Sequence, residues 1–140
     1  MISNRLLEIC KYVDNNSSIV DVGCDHGLLS IYLFLNRNNI KILATDVNQD
    51  SINVTSKNTV KYGVKDDVNV LLSDGLDNVD MTNIDTVIIA GLGGRKMISI
   101  LKNDAIKSVK KIILQPNNNA YEVRKYLSKV GYYISSESLV

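Results

Sequence analysis

Apolar positions in this chain fall into two kinds of run. Five short stretches, residues 18–23, 40–45, 68–72, 84–90 and 110–114, are rich in Ile, Val and Leu, and most meet a glycine or an aspartate within two residues of their end. A strand with one wetted face alternates apolar and polar residues, so near-continuous runs predict strands covered on both faces. Residues 132–136 predict the start of a sixth strand. Between these stretches the apolar spacing becomes helical. Residues 5–13 set Leu6, Leu7, Ile9, Cys10 and Val13 on one side, and residues 28–36 are dense in Leu, Ile and Phe. Asn48 is placed to cap a helix over 49–62, with Gly63 as its stop. A further helix leaves the Gly91-Leu92-Gly93-Gly94 turn and runs through Leu101. A last one, capped by Asn117 to Asn119, runs to Val130 and stops at Gly131.

Strand and helix therefore alternate along the whole chain, through connections that suit right-handed crossovers. This predicts an α/β fold with a doubly wound, mostly parallel sheet, formed by residues 1–140 as one domain. The composition agrees: 140 residues, 45% hydrophobic and 22% charged, suit one globular domain with a substantial core. No apolar run reaches the length of about 18 residues that a membrane helix needs. Glu8 and polar breaks in the first twelve residues do not fit a signal peptide. Cys10 and Cys24 provide no disulfide framework and no zinc-ligand spacing. The expectation is a cytoplasmic protein without a metal or a membrane partner. The net charge of +1 hides an asymmetry, because residues 1–94 carry 7 basic and 12 acidic side chains and residues 95–140 carry 9 and 3. The basic last third is either a surface for an anionic partner such as RNA or a set of lysines on solvated helix faces.

In a doubly wound sheet, ligands bind beyond the carboxyl ends of the strands. The residues there are Gly23 to Gly27, Asp46 to Asn48, Asp74-Gly75, Gly91 to Gly94 and Gln115 to Asn117. A pyrophosphate site needs bare backbone N–H groups in a G-x-G-x-x-G or Gly-Lys-Ser/Thr loop. Neither is present, and Asp25 stands where a middle glycine would, which disfavours a nicotinamide dinucleotide. A carboxylate beside a glycine loop suits a cationic ligand instead. Asp46 can accept hydrogen bonds from a ribose diol and Asp74 from an adenine amine. Acids at three consecutive strand ends fit S-adenosylmethionine (SAM), whose adenosine carries a sulfonium and an ammonium group.

The segments Asp21-Val22-Gly23-Cys24-Asp25-His26-Gly27, Ile89-Ala90-Gly91-Leu92-Gly93-Gly94 and Leu114-Gln115-Pro116-Asn117, in this order, resemble the signature segments of bacterial tRNA adenine-22 N1-methyltransferases. The resemblance runs over essentially the whole chain and implies a Rossmann-like class I methyltransferase fold with SAM as cofactor and tRNA as partner. It implies a cofactor-binding set of Asp21, Gly23, Cys24, Asp25, His26, Gly27, Asp46, Val47, Asp74, Gly75, Gly91 and Leu92. The sequence departs from the family in two ways. Leu28, Leu29 and Ser30 stand where family members usually carry an aromatic residue and a proline. Family members also continue into a last strand, inserted between the fifth and sixth, and a helical C-terminal domain. This chain reads as either a fragment or a minimal form lacking both, with a gap or an open edge in its sheet.

Adenine N1 has a free lone pair near neutral pH, so attack on a methyl group needs alignment rather than a general base. The product is cationic, and Asp25 is the first candidate to stabilise the developing charge or, alternatively, to orient the cofactor ammonium. Asn117 and Gln115 either position the base or form a turn and helix cap. Asp25 and Asn117 are thus the catalytic candidates. Cys24 reads as a small buried residue, and His26, the one histidine, as a structural or cofactor contact. Arg95, Lys96, Arg124 and Lys125 are the candidate RNA contacts, and at least half of Tyr121, Tyr126, Tyr132 and Tyr133 are expected in the core. Other readings are a SAM methyltransferase for another substrate and a SAM- or RNA-binding module without activity. A monomer is compatible with the sequence, which does not set the oligomeric state.

Overall fold

The computed structural model describes residues 2–140. Its elements follow in the order α1 (Asn4–Cys10), β1 (Ser18–Val22), α2 (Leu28–Asn36), β2 (Lys41–Asp46), α3 (Gln49–Lys61), β3 (Val68–Leu72), β4 (Thr86–Leu92), α4 (Gly94–Leu101), a 3-10 turn (Asp104–Ser108), β5 (Lys111–Pro116) and α5 (Ala120–Lys129). The strands form one parallel sheet in the order β3-β2-β1-β4-β5. The chain winds outward from β1 to β3, returns to place β4 beside β1, and winds outward again. The β1/β4 boundary is therefore the switch point, where the loops diverge and leave a crevice.

Alternate strand residues face opposite sides of the sheet, and both sides are apolar. Ile19, Ile42, Ile88 and Ile113 pack against Ile9 and Cys10 of α1 and Leu29 and Leu33 of α2. Val20, Val22, Val87 and Ile89 pack against Met97 and Leu101 of α4 and Val123 and Leu127 of α5. This two-sided burial explains the unbroken apolar runs and matches the doubly wound expectation.

Three details differ from the sequence reading. Helix α1 is regular only to Cys10, and the chain to Val13 continues in tighter bonds, Tyr12 N–H to Ile9 O and Val13 N–H to Cys10 O. Strands β4 and β5 run two residues further than predicted, because the register shifts between Ala90 and Leu92. Gly91, at a positive φ of 76°, is the extra residue of this bulge, so Gly91 and Leu92 end a strand rather than open a turn. The expected sixth strand over 132–136 does not form. A strand requires a neighbour for its backbone groups, and this segment pairs with none. It is anchored by side chains: Glu137 pairs with Arg124 at 2.6 Å, and the Ser138 hydroxyl lies between Tyr12 and Glu8.

The asparagines before α5 also act differently from the expectation. Asn119, the residue that begins α5, makes no side-chain cap bond. Asn118 Oδ1 instead accepts from Gly94 N–H at 3.0 Å and caps α4, across the crevice side of the sheet. Backbones meet closely here, since a Cβ on Gly94 would lie 2.7 Å from the Asn118 carbonyl oxygen and 2.8 Å from that of Asn119. Gly94→Ala is expected to destabilise the fold by about 1–3 kcal/mol through this overlap, read as a lower Tm in thermal unfolding.

Candidate functional site

The crevice beyond the strand ends is an open cleft of about 390 Å³, within the range of small-ligand sites. Each strand end delivers its loop for a local reason. The N–H groups of Gly23 and Cys24 both donate to Thr45 O, so β1 and β2 stay zipped one step past the ladder. The chain then turns tightly, Gly27 N–H donating to Cys24 O at 2.8 Å. Gly27 sits at a φ of 77°, and a Cβ there would run into the Thr55 methyl group, so both conformation and space demand glycine.

Asp46 holds this region together. Its Oδ2 accepts from Asp25 N–H at 3.0 Å and its Oδ1 from Asn48 N–H at 2.9 Å, joining the loops after β1 and β2. Each carboxylate oxygen retains acceptor capacity for a further donor from the cleft. Asp25 is exposed and pairs with His26 Nδ1 at 3.1 Å, while its carbonyl accepts from Thr55 Oγ1. Asp74 is exposed after β3, and its carboxylate has no hydrogen-bond partner among the described residues. Gly75 follows, packed under Ile100.

Asp21 is the buried acid of the cleft wall. Ser30 Oγ donates to it at 2.7 Å. Burial pushes its carboxyl up to about 6, with the nearby Asp46 charge adding to the rise and the Ser30 bond opposing it. Ser30, in the first turn of α2, is thus the side chain that satisfies this acid. Burial also pushes the Cys24 thiol up to about 12, which keeps it a neutral thiol near pH 7, in line with a small buried residue.

At the other end of the cleft the β4 and β5 termini are tied by amides. Gln115 Oε1 accepts from Gly91 N–H at 3.0 Å and from Arg5 Nη1 at 2.7 Å. Asn117 Nδ2 donates to Gly91 O at 2.8 Å, and Asn117 N–H donates to Leu92 O. The Gln115 and Asn117 amides are therefore engaged in shaping these loops.

Of the residues expected at the site, Asp21, Gly23, Cys24, Asp25, His26, Asp46, Val47, Asp74, Gly75, Gly91, Leu92 and Lys96 line the cleft together. Gly27 lies behind the loop, and Asn117 borders the cleft through Gly91 without lining it. Arg95, Arg124 and Lys125 lie outside, on the exposed sides of α4 and α5. Arg95 pairs with Glu122 and Arg124 with Glu137. Tyr126 and Tyr132 pack against the core, while Tyr121 and Tyr133 are exposed, as the sequence suggested in proportion. The sequence reading left out Val22, Leu28, Leu29, Ser73 and Ala90, which lie next to or near predicted residues, and missed Arg5, Leu6 and Ile100 in the lining. Ile100 and Leu6 carry ordinary core spacing on their helices, and Arg5 reaches a strand end 110 residues away, beyond any local pattern. No helix among the described residues is long and apolar enough to cross a membrane.

A folded-state value of about 6 for Asp21, above its ordinary 3.8, means the folded chain holds this proton more tightly than the unfolded one. The stability from this group is complete below about pH 4 and is lost as pH rises through about 6, a loss of about 2–3 kcal/mol by pH 7. Asp21→Asn, which can still accept from Ser30, is expected to flatten the stability curve over that window, measured by denaturant unfolding at stepped pH.

Residues 2–140 match the methyltransferase domain family. The tRNA (adenine(22)-N(1))-methyltransferase of Bacillus subtilis is 28% identical over 141 residues, covering 99% of this chain and 59% of that protein. Among solved structures, M. capricolum TrmK in complex with S-adenosyl-homocysteine superposes with a TM-score of 0.88 at 36% identity, covering 100% of this chain and 63% of that one. Streptococcus pneumoniae Sp1610 in complex with S-adenosyl-L-methionine superposes with a TM-score of 0.93 at 34% identity, covering 99% and 66%. This chain thus spans about six-tenths of the length of these relatives. With a family match over residues 2–140, a five-strand parallel sheet and a cleft at its switch point, the chain belongs to the methyltransferase domain family and is TrmK-like in sequence and fold.

Proposed function

We propose that this chain binds SAM in the switch-point cleft and transfers its methyl group to N1 of adenine 22 in tRNA. The observation that carries the reading is the row of carboxylates Asp25, Asp46 and Asp74 at or just beyond three consecutive strand ends, all lining one cleft, beside glycines that leave the backbone bare. The residues fit the cofactor: Asp46 retains acceptor capacity after binding two N–H groups, and the Asp74 carboxylate is free of protein partners among the described residues. Asp46 then accepts from the ribose hydroxyls, Asp74 and Gly75 meet the adenine with Val47 as apolar packing, and Gly23 to His26 border the amino-acid arm. When bound, the cofactor supplies an electrophilic methyl group on a sulfonium.

Adenine N1 forms the new bond to carbon as the sulfur–carbon bond breaks, and the positive charge passes from sulfur to the base. No proton has to be removed, so the protein's part is to align the two partners and exclude water. Asp25, exposed on the cleft wall, faces the charge on either side of the transfer. Gly91, Leu92 and Asn117 border the transfer site, with Asn117 acting through the loop it ties. Lys96 on the cleft rim, with Arg95, Arg124 and Lys125 on neighbouring helices, supplies the basic face for tRNA, the two arginines exchanging Glu122 and Glu137 for phosphates. A tRNA substrate and two free cysteines fit a cytoplasmic protein.

Methyl transfer from labelled SAM to unmodified tRNA, beside a tRNA with guanine at position 22, tests the reading. Label is expected in the first and not the second. Label in both would point to another nucleotide, and label in neither with SAM bound would point to a binding module. Asp46→Ala is expected to weaken SAM about tenfold to a hundredfold in equilibrium binding, through loss of charge-assisted hydrogen bonds. Unchanged affinity would move the ribose elsewhere.

A further inference from the structure

This sequence holds seven Tyr and one Phe. Two of these rings are exposed, Tyr121 at 75% and Tyr133 at 86%, and the others are half-buried. Tyr133 lies past the far end of α5. Tyr121 is the second residue of α5, within one turn, about 5 Å, of the end that meets the cleft wall. Just before it, Asn117 N–H donates to Leu92 O and Asn118 caps α4 at Gly94. Arg95 of α4 reaches Glu122 at 3.3 Å, so the first turns of α4 and α5 lie side by side, and Lys96 of the same α4 turn lines the cleft. Val123 and Leu127 turn the other side of α5 into the core. Residues three and four positions on from Tyr121 share its side of the helix, and these are Arg124 and Lys125, both exposed. Lys96 and Lys125 have no carboxylate partner among the described residues. An exposed aromatic ring among cations, beside a ligand cleft, has the make-up of a nucleic-acid stacking surface.

We propose that Tyr121 is a stacking platform for the unpaired base that flanks the methylated adenine, with Arg124 and Lys125 on the adjoining phosphates. The proposal rests on the tRNA-methyltransferase reading above and adds to it a site for a second nucleotide. Adenine N1 lies on the edge used in base pairing, and the target base has to leave its stack before that lone pair meets the methyl group. Extrusion bares one face of the neighbouring base. The Tyr121 ring, between the cleft and the basic side of α5, covers that face. The contact forms only when the target is out of the stack, so it favours the extruded state and helps to position the adenine. Every base has a face to stack, so the platform adds grip without selecting a sequence.

Stacking and charge separate by their response to salt. Unmodified tRNA is titrated against the wild-type chain, Tyr121→Ala, Tyr121→Phe and Lys125→Ala at stepped salt concentrations. Tyr121→Ala is expected to weaken tRNA binding about fivefold to a hundredfold with the salt slope unchanged, because stacking releases no counterions. Lys125→Ala is expected to lower the slope by about 1. Tyr121→Phe keeps the ring and is expected to bind within about twofold of wild type. SAM binding by Tyr121→Ala is expected within about twofold of wild type, which also shows that the variant is folded. The flanking position is read with tRNAs carrying an abasic residue on one side or the other of adenine 22. One of the two is expected to weaken the wild-type chain and leave Tyr121→Ala unaffected, as the two halves of one contact do. The same response of both proteins to each abasic tRNA would overturn the assignment to a flanking base. Unchanged tRNA affinity in Tyr121→Ala would overturn the proposal, and so would an equal loss in Tyr121→Phe, which points to a hydroxyl contact instead of a stack. Loss of SAM and tRNA binding together in Tyr121→Ala would overturn it in favour of a structural support. Failure of the wild-type chain to bind tRNA would overturn the tRNA reading and this role with it.

Discussion

A parallel sheet covered by helices on both faces leaves polar chemistry only one place to stand, the ends of its strands. The buried side chains of β1 and β4 are apolar apart from Thr86 and one acid, Asp21, which stands one residue before the end of β1 with Ser30 to satisfy it. The strand order then decides which ends converge. Because β4 returns to the side of β1, the loops after them part and open the cleft. The other features of the site follow from this constraint: the tight glycine turn before α2, the Asp46 staple between loops, and the amide ties between β4 and β5.

Much of this arrangement was legible in the residues. Unbroken apolar runs revealed strands buried on both faces, and Asn48 and Gly63 bounded α3 as local capping chemistry requires. The acids at strand ends could be read because each follows its strand directly, so position along the chain stood in for position in space. What escaped was set by partners distant in sequence. Asn118 looked like a cap for the helix it precedes, yet it caps α4. Arg5 opened the first predicted helix with no role assigned, yet it lines the cleft. Residues 132–136 had the composition of a strand but no neighbour to bond with, and composition alone does not make a ladder.

The site is held more by backbone and amide groups than by ion pairs. The Asp46 carboxylate accepts from two N–H groups, while the neutral amide of Gln115 accepts from Gly91 N–H and that of Asn117 donates to Gly91 O. Such bonds fix loop shape with little dependence on ionic strength. The basic side chains on α4 and α5, by contrast, are exposed and partly paired with glutamates, so their interactions are readily exchanged and weakened by salt. The molecule thus keeps a rigid cleft beside a surface whose charges can be redistributed.

The cross-cap from Asn118 to Gly94 has a bearing on how the protein assembles. Helix α4 borders the cleft, yet the acceptor for its first free N–H arrives 24 residues later, after β5 has been threaded. The Arg5–Gln115 bond spans 110 residues in the same sense. As the chain leaves the ribosome from its N-terminus, β1 to β3 and their acids can organise locally, while the β4–β5 rim waits for the last third of the sequence. The acid side of the cleft is tied by bonds between neighbouring loops, and its β4–β5 rim by a bond that joins the first helix to the last strand.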